Sequence, residues 1–110
     1  ALGGYLLAKA GAAASRRLSR DYYDFWWVTI HCQGGPDAAL AALRAEPLAE
    51  QLSRQRQALA ALIGDGVIGG DTAEAYAATM SSLGSDATPD QLLQDVIAAA
   101  EMLRPGLTHS

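Results

Sequence analysis

The chain has 110 residues, enough for one domain with its own core. Half of the residues are hydrophobic, but β-branched ones are scarce and no stretch alternates apolar and polar residues convincingly. This excludes a sheet-built fold and points to close-packed, alanine-rich helices. The net charge of −4 argues against a general nucleic-acid-binding face. One cysteine, Cys32, excludes an internal disulfide, and no apolar run reaches the length of a membrane span. Cytoplasm and no membrane partner are therefore the expectation. Ala1 opens the chain and Leu2 already reads as helical with no cap before it. A preceding segment of a larger protein is expected on that ground.

The first helix is expected over about Leu2 to Leu18, with Leu2, Leu6, Lys9, Ala13 and Arg16 on one stripe. Ser19 reads as the N-cap of a second helix, from about Arg20 to His31. That helix holds five of the seven aromatics and should be the most buried element, with the Trp26 side inward. Gly34-Gly35-Pro36 closes it and opens a third helix over about Pro36 to Ala45. A fourth is expected from Pro47 to Ile63, with a stripe at Leu48, Leu52, Leu59 and Leu62 and an outward Glu50–Arg54 pair. Gly64 to Gly70 reads as a flexible loop. Asp71-Thr72-Ala73-Glu74 and Thr88-Pro89-Asp90-Gln91 resemble capping boxes that open the fifth and sixth helices. The sixth should stop at Arg104-Pro105-Gly106. The expectation is a single all-α domain over 1–110, a bundle of about six helices. Residues 1–32 form a motif-bearing hairpin and 36–104 the helical remainder.

Lys9 is the only lysine, set among Leu6, Leu7, Ala8, Ala10, Ala12 and Ala13. Lysine is ordinarily a surface residue, so this placement asks for an ammonium at that point. Arg16 lies two helical turns on and shares its face. Asp21 and Asp24, three apart, share a face of the next helix across a short turn. The four side chains are expected to converge. A lysine held so can bind nucleotide phosphates as a point charge, and a carboxylate can accept or orient a hydroxyl proton. The structural reading of the same residues is a partly buried ion pair that fixes a helix–turn–helix corner.

Gly4-Tyr5-Leu6-Leu7-Ala8-Lys9-Ala10, then Arg16, then Arg20-Asp21-Tyr22-Tyr23-Asp24 resembles the signature of the AbiEii/AbiGii nucleotidyltransferase toxins, the toxin halves of abortive-infection toxin–antitoxin pairs. Gly34-Gly35-Pro36-Asp37-Ala38 resembles a Gly-Gly-Pro stretch of a subgroup of them. The likeness covers about Gly3 to Leu43. It implies a nucleotidyltransferase-fold protein that transfers a nucleotide from a triphosphate to a macromolecule. In that reading Lys9 contacts triphosphate and Asp21 accepts or orients a proton. Arg16 and Asp24 support them, with Arg17 a competitor for the place of Arg16. It also implies a cognate antitoxin as partner and tRNA or protein as acceptor.

The family begins with a Gly-Ser turn followed by a magnesium-holding Asp-x-Asp pair, and no Asp-x-Asp occurs in this chain. Gly84-Ser85-Asp86 lies between helices near the wrong end. The chain is thus expected to be the C-terminal helical half of such an enzyme, inactive alone and holding no cofactor. Magnesium and triphosphate would come into play only with an N-terminal half. No metal site is expected at His31, Cys32 or His109. Cys32 reads as a structural thiol, Trp26 and Trp27 as core, Arg54 and Arg56 as a solvated face. The alternative function is a non-catalytic helical module that docks a partner through apolar helices.

Overall fold

The structure, a computed structural model, describes residues 2–46 and 53–108. Among them there are six α-helices and no strand. They are α1 (Leu2–Arg16), α2 (Ser19–His31), α3 (Gly35–Ala45), α4 (Ser53–Val67), α5 (Asp71–Ser82) and α6 (Pro89–Thr108). None is long and apolar enough to cross a membrane. The helices share one core. α1 packs against α2, α3 and α4, while α6 packs against α2 to α5.

The core follows the apolar stripes. Leu6, Leu7, Ala10 and Ala13 are buried on α1, Leu59, Leu62 and Ile63 on α4, and Leu92, Val96, Ala100 and Leu103 on α6. α2 contributes Phe25 and Trp26, both fully buried and set edge to face at 5.0 Å. Tyr23 stacks on Tyr76 of α5 at 5.9 Å, which ties these two helices together. α2 is not buried all round, because Trp27 is 42% exposed and Tyr22 and Tyr23 are half-buried. Residues 47–52, which carry the expected start of the fourth helix, Leu48, Leu52 and the Glu50 side of the Glu50–Arg54 pair, lie outside the described residues, as does His109.

Several boundaries differ from the sequence expectation. α4 runs straight through Gly64-Asp65-Gly66, leaving only a short turn before α5. Gly66 is buried, and a Cβ there would meet the Trp26 ring at 2.6 Å. Close packing, not looseness, is what this glycine serves. α6 continues past Pro105 to Thr108. There Gly106 lies close against α3, and a Cβ on it would meet the Leu40 side chain at 2.8 Å. Ser19 is the first residue of α2 rather than its cap, and Leu18 makes the turn through Asp21 N–H to Leu18 C=O at 3.0 Å. At α5 the expected box is replaced. Gly70 is the N-cap, and Asp65 Oδ2 accepts from Thr72 N–H at 2.8 Å. The box at α6 is present: Thr88 N–H donates to Gln91 Oε1 at 2.8 Å and Gln91 N–H to Thr88 Oγ1 at 3.1 Å.

Candidate functional site

α1 stops at Arg16 because Arg17 turns left-handed at φ 53°, with its N–H still bonded to Ala13 C=O at 2.9 Å. The chain reverses within Arg17 and Leu18, and α2 returns along α1. This reversal places Asp21, in the first turn of α2, and Asp24, one turn later, beside Lys9 and Arg16. A carboxylate in a first helical turn also meets the positive end of the helix dipole.

All four predicted residues converge. Lys9 Nζ donates to Asp24 Oδ2 at 2.8 Å and lies 3.9 Å from Asp21 Oδ1. Arg16 donates to the same Asp21 oxygen at 2.8 Å. The Tyr5 ring, one turn before Lys9, sits 5.7 Å from the ammonium, within cation–π range. The side chain of Lys9 is 24% exposed, that of Asp21 only 2%. Asp21 Oδ2 is buried and meets no hydrogen-bond partner among the described residues. The Asp24 hydrogen bond holds the Lys9 pKa above its ordinary 10.5, against burial and helped by the charges of Asp24 and Asp21. Lys9 is therefore an ammonium throughout the neutral range.

Of the two neighbouring arginines, Arg16 pairs with Asp21, whereas Arg17 lines a separate cavity. Arg17 and Arg20 form no ion pair among the described residues. Two cations, Lys9 and Arg16, and two carboxylates thus meet at this corner. Asp21 is enclosed by Arg16 and Lys9, so a substrate hydroxyl reaches it only if one of them moves. Its geometry suits orienting the two cations better than accepting a proton directly.

Away from the corner, His31 Nε2 lies 3.3 Å from the Tyr76 hydroxyl, and its ring lies 5.0 Å from that of Trp27. Cys32 Sγ is 3.2 Å from Gly35 C=O, as a thiol donor would be. No group of three His, Cys, Asp or Glu side chains able to hold a metal occurs among the described residues. Trp26 is core as expected, whereas Trp27 is a surface aromatic. Sequence reasoning passed over Tyr5, although its spacing of one turn from Lys9 was a usable signal.

Compared with protein-family models, curated proteins and solved structures, the chain matches none.

Proposed function

We propose that this chain is the phosphate-holding helical part of a nucleotidyltransferase-like protein, which transfers a nucleotide from a nucleoside triphosphate to a macromolecular acceptor such as tRNA or protein. The observation that supports this is the convergence of Lys9, Arg16, Asp21 and Asp24 at one corner. A partly exposed ammonium can exchange Asp24 for a phosphate oxygen, and local positive charge favours that exchange. Asp21 holds Lys9 and Arg16 in place. Nucleotidyl transfer draws mainly on such positioning and charge stabilisation.

The carboxylates of the corner do not fit a magnesium site, since both already face cations. No metal step is assigned to this chain. Magnesium and its ligands belong, in this reading, to an N-terminal nucleotidyltransferase half. The single cysteine fits a cytoplasmic setting, and the resemblance adds the role of toxin in an abortive-infection pair with a cognate antitoxin.

The test is incubation with labelled nucleoside triphosphates, magnesium and bulk tRNA or protein. Residues 1–110 alone should give no transfer. In a longer protein that includes the metal-holding half, Lys9→Ala should lower the rate by at least about a hundredfold, the scale of losing one preorganised electrostatic group. Lys9→Arg should rescue only in part, because the guanidinium is longer and planar. An unaffected Lys9→Ala protein would show the lysine to be structural.

A second reading, the non-catalytic interaction module, is favoured by exposed apolar side chains on the same hairpin: Trp27 at 42%, Leu18 at 51% and Tyr5 at 40%. It predicts that replacing Lys9 and Asp24 together by methionine leaves the chain's function intact.

A further inference from the structure

A cavity of about 550 Å³ opens between α1, α2, α4 and α5, within the usual size of a small-molecule site. Lys9, Arg16, Asp21 and Asp24 are not on its wall. Alanines of α1, α4 and α5 give it an apolar lining. Its charged groups come from opposite ends of the chain reversal: Arg17 from the α1–α2 turn, Asp65 from the last turns of α4, and Asp71 from the start of α5. Arg17 pairs with neither carboxylate, although all three line one cavity.

A further observation concerns the backbone at the cavity mouth. Arg17 occupies the left-handed position after α1, where glycine is at home. The chain keeps an arginine in a strained backbone at the cavity, a pattern that accompanies ligand sites.

We propose that this cavity binds a small zwitterion of the amino-acid or dipeptide class. Its carboxylate sits on Arg17 and its ammonium on Asp71, with Asp65 nearby and the side chain against the alanines. The charge layout selects this class. A polyanion such as a triphosphate meets two carboxylates against one guanidinium. A simple cation meets Arg17, and a neutral apolar molecule leaves both ends unpaired.

The test is calorimetric titration of the full chain with leucine and glycyl-leucine, beside N-acetyl-leucine, leucine amide and a nucleoside triphosphate. Glycyl-leucine or leucine should bind saturably. Removing either of the ligand's charges should weaken binding by at least about tenfold, the scale of one charge-assisted hydrogen bond. Arg17→Gly should weaken it by a similar factor while melting within a few degrees of the parent, because glycine relieves the left-handed backbone. Asp71→Asn, an exposed change, should weaken it likewise. No binding of either zwitterion would overturn the proposal. So would binding indifferent to the ligand's charges, to Arg17→Gly and to Asp71→Asn, or triphosphate binding that Arg17→Gly and Asp71→Asn abolish while Lys9→Ala does not.

Discussion

Asp21 and Asp24 share one helix face and differ in what surrounds them. Asp21 is 2% exposed and takes a hydrogen bond from Arg16, whereas Asp24 is 22% exposed and takes one from Lys9. Removing the buried charge should cost more. Asp21→Asn is expected to lower stability by about 1–3 kcal/mol, and Asp24→Asn by less than about 1 kcal/mol. Urea denaturation of the two variants measures the difference. Burial pushes the Tyr76 hydroxyl from 10.0 up to about 12. A folded-state pKa above the unfolded one gives stability that is complete below the unfolded value and is lost as pH rises through the folded one. The Lys9 shift has the same sign. Thermal melts should therefore be flat up to about pH 10 and fall between about pH 10 and 12, less steeply in Tyr76→Phe. The sequence displayed Lys9 and its two aspartates as a group. It did not display which aspartate meets which cation. That depends on the left-handed turn at Arg17, which no residue preference announces, since glycine and asparagine are the usual occupants.

Helix punctuation was legible where it was local. Thr88 and Gln91 cap each other across three residues, as their spacing alone indicates, and Thr88→Ala should cost about 1 kcal/mol. Where tertiary packing overrides local preference, the same reasoning fails. Gly64, Gly66, Gly69 and Gly70 crowd one stretch and read as loop, yet α4 holds the first two. Their substitution should separate their roles. Nothing lies within 4 Å of a Cβ at exposed Gly64, so Gly64→Ala should stabilise by about 0.5–1 kcal/mol. At Gly66 the added methyl meets Trp26, and Gly66→Ala should destabilise by about 1–3 kcal/mol despite the better helix propensity. Thermal denaturation of the two variants should show shifts of opposite sign. Asp65 could not be recognised as the acceptor for the Thr72 N–H at the start of α5 while its own segment was read as a loop, because that bond depends on α4 reaching so far.

At the scale of the molecule, alanine-rich composition and helical periodicity were enough for an all-α bundle of six helices, because each apolar stripe had only one way to be buried. The cavity between α1, α2, α4 and α5 was not legible, since it forms where small side chains from four helices leave space. The corner of α1 and α2 carries the functional account. In the proposed reading a phosphate takes the place of Asp24 on Lys9 and is favoured by Arg16 beside it. Binding there should weaken as salt rises from about 0.05 to 0.5 M, because the site is partly exposed and its charges are screened. Lys9 is the only lysine, so its side-chain resonance in an NMR spectrum is unambiguous. Titration of the chain with a nucleoside triphosphate at low salt should shift that resonance saturably, with Arg16→Ala reducing the affinity. A Lys9 resonance that stays in place at millimolar triphosphate would contradict the account.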